Sequence, residues 1–151
     1  MEDRFQNFTL QINKINRSIH RIKAEEMKKF NLKSAHVSCL YYLYKHQTPM
    51  TSKELCDICE EDKALISRAL DDLETRGYIQ FNSSTEKRYR SPIELQPDGK
   101  EIAKYIVMRI DALLEAASMG MDENTRGILY EGLNTISSNL EKICKEGKKN
   151  D

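Results

Sequence analysis

The sequence predicts a mainly α-helical chain with one small β-hairpin, and three observations carry that expectation. Only six Gly and three Pro occur in 151 residues, too few for the many turns of an all-β barrel. Apolar residues recur at helical spacing near both ends of the chain. In one stretch, beginning at Tyr78, the period changes to two.

The length suits one domain, for which about 150 residues is the usual size. Lys and Arg together number 24, as do Asp and Glu, so the formal net charge is zero. That balance excludes both a polycation that coats nucleic acid and an acidic tail protein. Any nucleic-acid site must be a local patch. No apolar run approaches the roughly 18 to 20 residues of a membrane span. The opening Met1-Glu2-Asp3-Arg4 lacks the layout of a signal peptide. A cytoplasmic protein without a membrane partner is expected, and its four Cys are read as reduced thiols.

Phe5, Phe8, Ile12, Ile15, Ile19 and Ile22 fall at 3-4-3-4-3 spacing, a single stripe along the first helix. Leu129, Leu133, Ile136, Leu140 and Ile143 repeat the device at 4-3-4-3 spacing in the last, behind Gly120 and an Asp122 N-cap. A helix with a narrow apolar seam needs a partner, from its own chain in a bundle or from a second copy across a two-fold axis. The second arrangement is favoured, with Phe5, Phe8, Ile12, Ile15, Ile19, Leu129, Leu133, Ile136 and Leu140 as dimerisation residues.

Between the seams, Lys33-Ser34 opens a helix through His46, with Val37, Leu40, Tyr41 and Tyr44 inward, and Pro49 closes the connection. Thr51-Ser52-Lys53-Glu54 is a capping box that starts a short helix ending near Cys59, with Met50 placed to staple onto Leu55. Asp62 caps the next helix, which ends at Gly77, a residue suited to the left-handed position after a helix. Tyr78-Ile79-Gln80-Phe81 then alternates as a strand, Asn82-Ser83-Ser84 is turn chemistry, and Tyr89 to Leu95 returns. Pro92 cannot donate a ladder bond, so the return strand is expected at an edge. Gln96-Pro97-Asp98 starts a long helix with Ile102, Ile106, Ile110, Leu113 and Ala117 on its buried side.

A short helix, a tight turn, a second helix and a hairpin form the layout of a winged helix-turn-helix. From Asp62 to Gly77, Leu65, Ile66, Ala69, Leu70 and Leu73 make the apolar side, leaving Lys63, Ala64, Ser67 and Arg68 opposite. Such a set suits a major groove, where Arg can fork onto guanine and small residues permit close approach. It is also the ordinary make-up of a solvated face. What favours the groove is the hairpin tip, where Lys87, Arg88 and Arg90 outnumber Glu86 around an interleaved Tyr89. Asp71, Asp72 and Glu74 would be repelled by phosphate, which confines contact to the helix's first half.

The run from Glu61 to Ile79 resembles the recognition-helix signature of the MarR family of bacterial transcriptional regulators. Shared features are its Asp62-Lys63 start, the Ser67-Arg68 pair and the Leu73-Glu74-x-x-Gly77 ending. Leu95-Gln96-Pro97-Asp98-Gly99 is similar to the segment that follows the family's wing, and the resemblance covers nearly the whole chain. It implies that Lys63, Ser67 and Arg68 face the major groove and that Arg88 is the wing arginine. Glu86 stands where the family has Asp, Gln96 replaces a capping Thr, and Arg88 lies one residue farther from Leu95 than is commonest. Both Arg88 and Arg90 are therefore candidates for the wing contact. The resemblance also implies a homodimer built from the terminal helices, and a small-molecule or redox input that alters the spacing of its two DNA-binding lobes.

The expected organisation is one MarR-like domain, 1–151. Its helical dimerisation region spans 1–32 and 98–146, and its winged helix-turn-helix spans 34–95, with the wing at about 78–95. Cys56-Asp57-Ile58-Cys59 has C-x-x-C spacing but lacks the second pair a zinc ribbon requires. A thiol- or metal-responsive regulator using Cys56 and Cys59 stays an alternative, while Cys39 reads as core and Cys144 as unconstrained. His20, His36 and His46 share no ligand spacing, and no metal site or cofactor is expected. Tyr41, Tyr42 and Tyr44 read as core and boundary residues or as the wall of an effector pocket. No nucleotide loop, nucleophile elbow or paired-carboxylate motif points to an enzyme. The expected function is therefore sequence-specific DNA binding by a ligand- or stress-responsive homodimeric repressor on a palindromic operator. A helical protein-interaction module that never touches DNA is the rival.

Overall fold

In the computed structural model, residues 3–46, 48–59, 61–82 and 90–149 are described. The helices are α1 (Arg4–Met27), followed by a 3-10 turn at Lys28–Phe30, α2 (Ser34–Lys45), α3 (Ser52–Ile58) and α4 (Lys63–Thr75). Strands β1 (Ile79–Phe81) and β2 (Ile93–Leu95) come next, then α5 (Pro97–Ala117) and α6 (Glu123–Gly147). The fold is thus mainly helical with a two-stranded antiparallel hairpin. The chain divides into two compact units, Met1–Asp111 and Ala112–Asp151.

Local chemistry starts and stops these helices where the sequence places its signals. Asp3 Oδ1 accepts from the backbone N–H of Phe5 and of Gln6, both at 3.1 Å, and so caps α1. The capping box of α3 closes in both directions. Thr51 N–H donates to Glu54 Oε2 at 2.9 Å, and Glu54 N–H donates to Thr51 Oγ1 at 3.2 Å. At the end of α4, Gly77 takes φ +76°. Its N–H bonds Glu74 O and that of Tyr78 bonds Leu73 O, each at 2.9 Å, which is the Schellman pattern.

The core of the first unit gathers Met27 from α1, Val37, Cys39 and Leu40 from α2, Leu55 from α3, and Ile66, Leu70 and Leu73 from α4. Ile79, Ile93 and Ile106 close it from the hairpin and α5. Burying each large aliphatic side chain contributes on the order of 1.5–3 kcal/mol. Glu26 and Arg109 tie α1 to α5 through a two-pronged ion pair at 2.9 and 3.1 Å. Lys45 and Asp111 tie α2 to α5 at 3.0 Å.

The hairpin pairs Ile79 with Leu95, Gln80 with Glu94 and Phe81 with Ile93. Its return strand is shorter than expected because the ladder begins at Ile93, just after Pro92. Nor is its outer side wholly open. Ile93 N–H donates to Met50 O at 2.8 Å in a bridge that seats the start of α3 against β2.

Three residues expected on buried faces are exposed: Tyr44, Leu65 and Ala117. Elements on several sides enclose α2, so His36, Ser38 and Leu43 are buried while Tyr44 lies at its open end. Only the narrower stripe Ile66, Ala69, Leu70 and Leu73 of α4 reaches the core, and Leu65 flanks it. On α5 the buried face is Gly99, Ala103, Ile106 and Val107, with Ile102, Ile110 and Leu113 half-buried.

In the second unit, Asp122 caps α6 by accepting from Thr125 N–H at 2.7 Å, and that bond holds its carboxyl below the usual range. Arg126 pairs with Glu115 at 3.0 Å.

Candidate nucleic-acid interface

The helix-turn-helix is built from α3 and α4. Asp62 starts α4 by accepting from Ala64 N–H at 2.7 Å, which leaves Lys63 as the first helical residue. With the apolar stripe turned inward, Lys63, Ala64, Ser67 and Arg68 are all exposed on the other side. Neither Lys63 nor Arg68 makes a hydrogen bond or ion pair among the described residues.

The hollows beside this face differ from one side of it to the other. Lys63 and Ser67 line a hollow of about 620 Å³ together with Ser52, Lys53 and Cys56 of α3 and Phe81 of β1. Arg68 borders a different hollow of about 890 Å³, shared with His20, Lys33, His36, Asp72 and Arg76. Lys53 is exposed beside Lys63 and stands outside the set expected from the sequence. Its signal would have been a cation in the first turn of the helix that precedes the recognition helix. Of the wing cations, Arg90 is exposed next to buried Ser91, whereas Lys87 and Arg88 lie outside the described residues.

The sequence places Asp72 simply among several acids that phosphate would repel. Its carboxylate in fact receives Arg76 at 2.9 Å and His36 Nε2 at 2.8 Å. Burial alone would raise this carboxyl, but the hydrogen bond and charge of Arg76, with His36 adding to them, hold it below its ordinary range. Burial pushes His36 the other way, below the usual imidazole value, and the charge of Asp72 offsets this only in part.

The three tyrosines of α2 separate. Tyr41 and Tyr42 are half-buried and pack edge to face at 5.2 Å. Tyr44 lines a hollow of about 410 Å³ with Pro49, Ile93 and Lys100. The cysteines also sort differently from their spacing. Cys59, buried just after α3, lies in the same core as Cys39 of α2, and the two thiols influence each other. The neighbouring thiol lowers Cys59 and, with burial, drives Cys39 well above the usual range. Cys56 is half-buried and raised by burial. Among the described residues no group of three His, Cys, Asp or Glu is placed to hold a metal ion, and no helix is long and apolar enough to cross a membrane.

Residues 30–88, which hold α2, α3, α4 and β1, match the model of the MarR family. No curated protein matches the sequence. Among solved structures, Staphylococcus aureus MarR in complex with salicylate and kanamycin is 22% identical. That match covers 93% of this chain and 95% of that one, with a TM-score of 0.78. A putative MarR family transcriptional regulator from Listeria monocytogenes complexed with 26mer DNA is also 22% identical, covering 93% and 90% with a TM-score of 0.78. S. aureus MepR in a DNA-binding conformation is 17% identical, covering 88% and 98%, again with a TM-score of 0.78. These likenesses establish the fold along most of the chain, and the family match falls on the helix-turn-helix itself. Residues 30–88 thus match the MarR family model, and the chain as a whole shares the fold of these solved structures.

Proposed function

We propose that the protein is a cytoplasmic homodimeric repressor that binds a palindromic operator and releases it in response to a small molecule or stress. The observation that carries this reading is the exposed face Lys63, Ala64, Ser67 and Arg68, set on a helix whose opposite stripe is locked into the core. Arg68 and Ser67 discriminate bases in the major groove, while Lys63 and the wing cations Lys87, Arg88 and Arg90 contact phosphate.

Dimerisation is assigned to the two seams. Phe5, Phe8, Ile12, Ile15 and Ile19 on α1, and Leu129, Leu133, Ile136 and Leu140 on α6, are each more than a third exposed in the single chain. Ordered apolar stripes of this length are surfaces that a partner covers. A two-fold dimer then sets two recognition helices about one DNA turn apart, which makes the operator an inverted repeat. An effector that changes this spacing would meet aromatic surface at Tyr41, Tyr42 and Tyr44. That the S. aureus relative was solved with salicylate and the Listeria relative with DNA supports both inputs.

Selection of duplexes from a random pool by the full-length protein tests the reading. The expected product is an inverted repeat with half-sites about one helical turn apart. A pool without an enriched motif would overturn it in favour of a helical interaction module.

A further inference from the structure

His36 stands at the third position of α2 with its side chain only 9% exposed. Its Nδ1 accepts the backbone N–H of Lys33 at 2.9 Å, so that nitrogen carries no proton. The proton is on Nε2, which donates to Asp72 Oδ2 at 2.8 Å. The same oxygen receives Arg76 Nη2 at 2.9 Å. Arg76 reaches onward to the carbonyls of Phe30 at 3.2 Å and Asn31 at 2.9 Å, in the turn after α1. One carboxylate oxygen of the recognition helix therefore joins α4 to the start of α2 and to the end of α1.

We infer that His36, Asp72 and Arg76 are positioning residues for DNA recognition, and that uptake of one proton by His36 loosens the recognition helix from the corner between α1 and α2. The inference rests on the DNA-binding reading above. An added proton goes to Nδ1, where it faces the Lys33 N–H. An acceptor becomes a donor opposite a donor, and the bond that closes the first turn of α2 is lost. The imidazolium also becomes a second cation on the oxygen that already serves Arg76.

The surrounding charges do not relieve this. From α4 and its C-cap the group faces Asp72, Arg68 and Arg76, from the N-cap of α2 Lys33, and from α1 His20. The turn before α4 adds Glu61 and Asp62, both already engaged. Glu61 accepts from Ser34 Oγ at 2.7 Å and Asp62 caps α4. Asp72 is thus the anion left for the imidazolium, and it is shared. Because the exposed face with Ser67 and Arg68 lies on the same helix, freeing α4 from the end of α1 weakens base reading without removing any DNA-contacting residue.

The test uses the full-length protein and a duplex recovered by selection at about pH 7.5, with affinities measured down to about pH 5.5, the window in which His titrates. Three proteins are compared: the parent, His36→Gln and His20→Gln. Glutamine at position 36 can still accept from the Lys33 N–H, as in a capping box, but takes up no proton. The parent and His20→Gln are expected to lose severalfold in affinity over this range, less than the roughly tenfold that one proton titrating at the ordinary histidine value would allow, and His36→Gln to stay nearly flat. Equal pH dependence in His36→Gln would overturn the inference alone. A pool that yields no binder would overturn the DNA-binding reading and the inference with it. Should His36→Gln fail to fold, imidazole nitrogen NMR on the parent decides. Expected are the Nε2–H tautomer and a titration midpoint that falls further when the duplex is added, because linkage is reciprocal. An Nδ1–H tautomer, or a midpoint that DNA leaves unmoved, would sink the idea.

Discussion

Gly99, in the first turn of α5, lies so close to the carbonyl of Tyr78 that a Cβ built on it would sit 2.0 Å from that oxygen. The same carbonyl accepts the N–H of Gln96 at 2.9 Å. Helix α5 is thereby docked on Tyr78, at the turn that ends α4. Since the obstacle is backbone, relief requires α5 to move. Gly99→Ala is expected to destabilise the protein by at least about 1–3 kcal/mol, the usual cost of overpacking. A denaturant titration against the parent measures it, and an unchanged midpoint would show that α5 is not held there.

Arg68→Ala is expected to cost about 1–3 kcal/mol on the selected operator and to relax preference at one base pair per half-site. A parallel titration on random duplex separates base reading from phosphate attraction. Equal losses on both duplexes would assign Arg68 to the backbone.

Arg90 and Arg88 divide by salt. Each phosphate contact adds roughly 0.9 to the slope of log affinity against log salt. Whichever of Arg88→Ala and Arg90→Ala lowers the slope by about that amount identifies the wing contact. Unchanged slopes in both variants would remove the wing from the interface.

Charged substitutions in the seams should separate the protomers. Ile12→Glu on α1 and Ile136→Glu on α6 each place a carboxylate within an apolar stripe, where leaving it unpaired is costly. Light scattering is expected to read half the parent's mass. A retained dimer in both variants would contradict the seam assignment.

Stability should fall on the acid side. His36 is held below its ordinary value of 6.5, so its contribution is full above that pH and is lost as pH falls through the lower folded value. Asp72, held below 3.8, acts in the same direction at lower pH. The parent's Tm is expected to drop between about pH 7 and pH 5 by more than that of His36→Gln. Equal drops would place the loss at other groups.

Much of the winged helix-turn-helix is legible in the order of its residues, and particular side chains show why. Thr51 and Glu54 reach each other within one turn, as do Asp62 and Ala64, so the helix starts follow from neighbours in the chain. Gly77 ends α4 for the same reason. The face with Lys63, Ser67 and Arg68 follows from helical period. On α4, Leu65, expected inward, is exposed, because periodicity gives the direction of a buried stripe more reliably than its width.

What the sequence by itself determined, then, was the order of elements, their caps and the apolar spacing of the two terminal helices, because each depends on hydrogen bonds or spacing within a turn or two. The tertiary structure alone decided that Asp72 serves His36, that Cys59 joins Cys39 in the core, that Met50 bridges to Ile93 and that Gly99 meets Tyr78. Each of those contacts joins different elements, and the burial of one face depends on the element that comes to cover it, which no local pattern records.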